Sequence, residues 1–168
     1  MRNIFGDEQH KITFQGQVIS IQPRSNVWRY LTDNRTHTLT GYNLFLKGMA
    51  EDKEKEFVVA ISQKQQEKLQ FHLGDTIKGS AWTKKYPNIE YADYYRAGSL
   101  KKIVAAKIIE TNQAPWIFPM PDLATYDQRG ARMLDKKCWK SKCFQCVWAA
   151  MANVAIEYDF GVSQKHPL

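Results

Sequence analysis

The sequence predicts a mostly-β protein: a five-stranded barrel with one short helix and a small cysteine-bearing C-terminal appendage. Three observations carry this expectation. Between His10 and Glu110, apolar and polar residues alternate at a period of two in several short runs, the pattern of strands with one buried face. A single helix-start signature interrupts those runs. All three cysteines lie within nine residues, Cys138-Trp-Lys-Ser-Lys-Cys143-Phe-Gln-Cys146, beyond the β-patterned part of the chain. The length of 168 residues, 43% of them hydrophobic and 12% aromatic, suits one folded domain with an appendage.

The first run, His10 to Ile21, begins with Ile12 and Phe14, passes Gly16 and continues with Val18, Ile19 and Ile21. A change of apolar phase beside a glycine predicts a bulged or sharply bent strand, because one inserted residue swaps which side chains face the core. The second run, Thr36 to Lys47, puts Tyr42, Leu44 and Leu46 on one face. The third, Phe57 to Ile61, does the same with Phe57, Val59 and Ile61. Ser62-Gln63-Lys64-Gln65 then reads as a capping box opening a short helix to about His72, ended by Gly74-Asp75. A fourth strand is expected over Thr76–Thr83 and a fifth over Leu100–Ile109.

Five strands, a glycine-bent first strand, and a helix between the third and fourth followed by Gly-Asp-Thr-Ile-Lys-Gly resemble the OB-fold, a five-stranded Greek-key barrel that binds oligonucleotides or oligosaccharides. The resemblance covers about residues 10–110 and rests on element order and turn chemistry. Another small antiparallel barrel or sandwich fits the same alternation. Residues 111–128 hold Pro115, Pro119 and Pro121, spacing that forbids regular helix or central strand and predicts an extended connector packed on the barrel. Residues 129–168 form the cysteine module, with a short helical turn over Ala149–Asn153 and a last strand over Val154–Phe160.

The formal charge of +7 and a sequence pI near 9.3 point toward an anionic partner. The resemblance implies a ligand lying across the second and third strands, flanked by the loop after strand one and the loop between strands four and five. Those segments hold the two ingredients that single-stranded nucleic acid requires: flat rings for bases to stack on, at about 1–3 kcal/mol per base, and cations for phosphates. Gln22 to Arg35 carries Arg24, Trp28, Arg29 and Tyr30. Lys84 to Ser99 carries Lys84, Lys85, Tyr86, Tyr91, Tyr94, Tyr95 and Arg96. Phe45, on the face of strand two opposite Leu44, offers a further platform. The expectation is that Trp28, Tyr30, Phe45, Tyr86, Tyr94 and Tyr95 stack while Arg24, Arg29, Lys84, Lys85 and Arg96 neutralise phosphate. The structural alternative is that these aromatics cover the ends of a small barrel.

Thiolates favour borderline or soft metals, and C-x4-C-x2-C supplies three of the four ligands of a tetrahedral site. Structural zinc held by Cys138, Cys143 and Cys146 is the first expectation, as in zinc-ribbon- or knuckle-like modules. His166 and Asp159 are the nearest downstream donors for the fourth position, while His10, His37 and His72 would have to arrive through the fold. The spacing also resembles that of plant-type ferredoxins, but the distant fourth cysteine that an iron–sulfur cluster of that kind needs is absent. A redox dithiol at Cys143 and Cys146 is a third reading. Six basic residues between Arg129 and Lys142 surround this cluster.

No nucleophile-elbow, phosphate-loop, zinc-protease or deaminase motif occurs. The N-terminus has no apolar run of signal-peptide length, and no stretch approaches the roughly 18 apolar residues of a membrane span, so the expected location is cytoplasmic. The expected function is non-enzymatic binding of single-stranded nucleic acid or another polyanion. A metal- or iron–sulfur-dependent redox protein using the three cysteines, and a protein-interaction or acyl-thioester-binding module, are the rival readings.

Overall fold

The computed structural model describes residues 7–29, 36–87, 90–107 and 154–156, and positions 124 and 128 singly; for 25–29, 36–39 and 154–156 it describes the backbone alone. Its elements run β1 (Lys11–Arg29), β2 (Thr36–Ala50), β3 (Lys53–Ile61), α1 (Gln63–Leu69), β4 (Thr76–Thr83), β5 (Tyr94–Val104) and β6 (Val154–Ile156). β1 pairs antiparallel with β2 along one edge and with β4 along the other. β2 pairs antiparallel with β3, β4 antiparallel with β5, and β5 meets β3 in parallel at Tyr94 and Val59. The first five strands therefore close into a barrel in the order β1-β2-β3-β5-β4-β1. With α1 between β3 and β4, this arrangement is consistent with an OB-like fold.

Burial follows the period-two pattern. Ile12, Phe14, Gly16 and Val18 of β1 point inward, while Lys11, Thr13, Gln15 and Gln17 between them are exposed. The expected bulge lies just beyond Gly16: Val18 pairs with Leu46 and Ser20 with Phe45, so Ile19 is the extra residue, and it is exposed. That insertion resets the phase and returns Ile21 to the core. Gly16 and Gly48 face each other across β1 and β2. A β-carbon on Gly48 would stand 2.6 Å from the Gly16 Cα, so the two strands approach this closely only where neither carries a side chain.

Leu44, Leu46, Val59 and Ile77 are fully buried at the centre. Phe57 packs edge-on against both Phe14 and Tyr94, each with ring centroids 5.8 Å apart. The helix opens as its sequence requires: the Gln65 amide donates to Ser62 Oγ at 3.2 Å, and the Ser62 amide donates to Gln65 Oε1 at 2.9 Å. Gln65 Nε2 also donates to the Ala97 carbonyl on β5, which fixes the helix across the gap between β3 and β5.

The turn after the helix is bonded to the bulge. The Gly74 amide donates to the Val18 carbonyl and the Val18 amide to the Asp75 carbonyl, both at 2.8 Å. The Asp75 carboxylate, 1% exposed, accepts from Lys102 Nζ at 2.7 Å and from the amides of His72 and Ala106 at 2.8 Å. Three donors outweigh the cost of burying one charge.

Four boundaries differ from the sequence expectation. β1 continues to Arg29, so residues 22–29 are strand and not loop. β2 and β3 lengthen toward their shared turn, β2 to Ala50 and β3 back to Lys53. α1 ends at Leu69, with Gln70 in the left-handed region at φ 46°. β5 begins at Tyr94, six residues before Leu100, and ends at Val104. Within the expected last strand, Val154–Ile156 forms β6, which pairs in parallel with Val27–Arg29. The Pro-rich connector, apart from position 124 and 128, and the helical turn expected at 149–153 lie outside the described residues.

Candidate functional site

Arg24 occupies β1 beside a second irregularity: it pairs with Gly41, whereas the next residue, Ser25, pairs with Leu39. Gly41 has φ 130°, and a β-carbon there would strike the Ile61 carbonyl, so the register shift depends on glycine. The shift is locked by two reciprocal bonds. Arg24 Nη2 donates to the Thr40 carbonyl at 2.9 Å, and Thr40 Oγ1 donates to the Arg24 carbonyl at 3.1 Å. The guanidinium carbon lies 5.9 Å from the centre of the Tyr95 ring, within cation–π range. Its Nε is buried without an acceptor. Burial lowers the pKa of Arg24, with Tyr95 acting in the opposite direction; a guanidinium nevertheless remains cationic.

Arg24 lines a cleft of about 390 Å³ whose other walls include Lys85, Tyr86, Tyr95 and Arg96. The connection between β4 and β5 delivers Lys85 and Tyr86, and β5 itself delivers Tyr95 and Arg96. Lys85 Nζ sits 5.1 Å from the centre of the Tyr86 ring. The Tyr86 amide donates to Glu90 Oε2 at 2.6 Å and the Glu90 amide to the Tyr86 carbonyl at 2.9 Å, which holds that ring in place. Tyr95 is oriented by the Ala92 amide, which donates to its hydroxyl at 3.1 Å. Burial pushes the Tyr95 phenol upward in pKa. Arg96 has φ 51° and an exposed side chain.

Five sequence-predicted residues, Arg24, Lys85, Tyr86, Tyr95 and Arg96, thus meet in one place although some 60 residues separate Arg24 from Lys85. No family model, curated protein or solved structure matches this chain. The site therefore has to be read from its own chemistry.

Tyr94 corrects the expectation. It is 2% exposed, with its ring edge-on to Phe57 and its hydroxyl donating to Glu51 Oε2 at 2.7 Å, so no base can stack on it. Its position in the strand decides this, because neighbouring side chains on a strand point to opposite faces: Tyr94 faces inward and Tyr95 outward. Lys84 does not line the cleft either. Its amide donates to the Asp93 carbonyl, and its ammonium lies 3.5 Å from the Asp93 carboxylate. Asp93 in turn accepts from the Val58 amide at 2.9 Å, tying the connection to β3. Phe45 is half-buried on the outer side of β2 and packs on Tyr91, with centroids 6.2 Å apart. It borders the face without lining the cleft.

Trp28 and Arg29 lie where β1 runs on beyond the Arg24–Gly41 register shift, their backbones paired with Ala155 and Ile156. Tyr30, Cys138, Cys143, Cys146, Asp159 and His166 lie outside the described residues. Of the histidines considered as distant ligands, His10 pairs with Glu51 at 3.2 Å and the His72 amide donates to Asp75. Among the described residues no group of three or more His, Cys, Asp or Glu is placed to hold a metal, and no helix is long and apolar enough to cross a membrane.

Sequence reasoning missed Glu90 and Gln65 as cleft residues. The capping box was the only signal for Gln65. It also missed Glu51, at φ 55°, on which Lys55, Tyr94 and His10 converge. Hydrogen bonds from Lys55 and then Tyr94 hold its carboxyl down at about 2.

Proposed function

We propose that this chain binds single-stranded nucleic acid without covalent chemistry, along the outer surface that runs from Phe45 and Tyr91 to the Arg24 cleft. One observation carries the reading: three cations and two aromatic rings, from parts of the chain remote in sequence, line a single cleft. Cations and rings side by side match the two halves of a nucleotide, the phosphate attracting Arg24, Lys85 and Arg96 and the base stacking on Tyr86 or Tyr95. The fold adds support by analogy alone, since OB-like barrels serve many functions.

In this reading Cys138, Cys143 and Cys146 hold a structural zinc ion, supported by their spacing and by the basic residues around them. The protein acts in the cytoplasm, where thiols stay reduced and available to metal. Elemental analysis under reducing conditions tests the metal, with one equivalent of zinc expected per chain.

Titration of the full chain with a labelled single-stranded oligonucleotide at two salt concentrations tests the central claim. Binding is expected at low salt, weakening steeply at high salt as phosphate counterions compete. Absence of binding at low salt refutes it.

A further inference from the structure

The cleft is more specific than a sticky cationic surface requires. Its deepest cation, Arg24, is not a free surface charge. One nitrogen is spent on the Thr40 carbonyl, its plane lies near the Tyr95 ring, and its buried Nε has no acceptor. A buried donor without a partner is rare in a folded protein and costs stability unless something supplies the acceptor. A second unsatisfied atom lies close by in the strand register. Asn43, 3% exposed, has a buried Oδ1 without a donor, and its cross-strand partners are Gln22 on β1, two residues before Arg24, and Ala60 on β3, which lines the cleft. One unmet donor and one unmet acceptor therefore flank the same small volume.

Resting on the reading above, we propose that the cleft is a discrete pocket for one nucleotide, in which Arg24 Nε donates to a phosphate oxygen and the base lies between the Tyr86 and Tyr95 side of the cleft and Asn43. The volume of about 390 Å³ admits a nucleoside monophosphate and not a longer oligomer. Arg96 and Lys85 at the rim neutralise the rest of the phosphate charge, and Glu90 repels a second phosphate from that wall, which limits the pocket to one. A mononucleotide therefore binds here on its own, and a strand bound along the face inserts one of its nucleotides.

Competition on the full chain tests this. Adenosine 5′-monophosphate, adenosine and inorganic phosphate are each used to displace a labelled single-stranded oligonucleotide at low salt. The monophosphate is expected to compete at least about tenfold better than either part alone. Arg24→Lys, which keeps the charge but loses the planar Nε donor, is expected to weaken the monophosphate by about tenfold or more. Arg96→Gly removes a rim cation at a left-handed position that glycine occupies without strain, so its loss of affinity cannot arise from unfolding; a fall of about threefold is expected. Oligonucleotide binding that the monophosphate never displaces and that Arg24→Lys leaves unchanged overturns the pocket while leaving the binding face standing. Equal competition by inorganic phosphate and the monophosphate overturns the base site. Failure of the oligonucleotide itself to bind overturns both.

Discussion

The Asp75 corner and the Arg24 cleft each set a charged side chain into the barrel wall, and they differ in what is left over. Asp75 is almost fully buried and accepts from Lys102 and two backbone amides. Arg24 is half-buried, donates to one carbonyl and retains a buried nitrogen without an acceptor. A group that serves the fold is completed by the fold, whereas one that serves a ligand is left incomplete by it. The same contrast separates two tyrosines that adjoin in sequence: Tyr94 is sealed inside with its hydroxyl on Glu51, and Tyr95 lines the cleft beneath Arg24.

The comparison predicts opposite outcomes for the two charges. Asp75→Ala leaves the Lys102 ammonium and two amides without their acceptor, so a loss of about 3–5 kcal/mol is expected in urea unfolding. An unchanged midpoint would erase the distinction between the two regions. Leu46→Ala, at a fully buried position, calibrates the core at about 2–5 kcal/mol. Arg24→Met is expected to change stability by less than about 1 kcal/mol, since it also removes an unsatisfied buried donor, while weakening oligonucleotide binding.

Acid sharpens the same contrast. The Asp75 carboxyl sits below its ordinary value because, although burial pushes it up, Lys102 and the amides of Ala106 and His72 together prevail. Glu51 falls from 4.5 to about 2. Both folded-state values are depressed, so their stabilisation is present above the ordinary carboxylate range and is lost as pH falls through the folded values. Stability is expected to be flat above about pH 5 and to decline toward pH 2, and Glu51→Gln should flatten the lowest part of that decline. Thermal unfolding as a function of pH measures it. The smallest effect is expected of Arg96→Gly, a gain of about 1 kcal/mol or less from relieving a left-handed residue.

Much of the barrel was legible because its strands alternate cleanly: Phe57, Val59 and Ile61 point inward as their spacing requires, and the Ser62–Gln65 box starts the helix where expected. The site was legible in composition but not in placement. Residues 22–29 contain Pro23 and lose the alternation at the Arg24–Ser25 register shift, which disguised the continuation of β1 as loop. Tyr94 to Ser99 was disguised in the same way. The pairing of β4 with β5 carries three irregularities, and Arg96 and Ser99 have positive φ, so one strand reads as a turn-rich connection. That error concealed which of two adjacent tyrosines faces out. Glu90, whose role depends on folding back onto Tyr86, left no local trace.

The ring of five strands also dictates an order of events during synthesis. β1 is bonded on both edges, yet its second partner, Thr76–Thr83, emerges from the ribosome more than fifty residues after β1 is complete, and the last stave, Tyr94–Val104, later still. Until then, the nascent chain offers unpaired edges on β1 and β3 to whatever is near. The wall that finally carries Tyr95 and Arg96 is the piece that removes this hazard, so the molecule becomes safe from self-association and complete as a receptor in the same step.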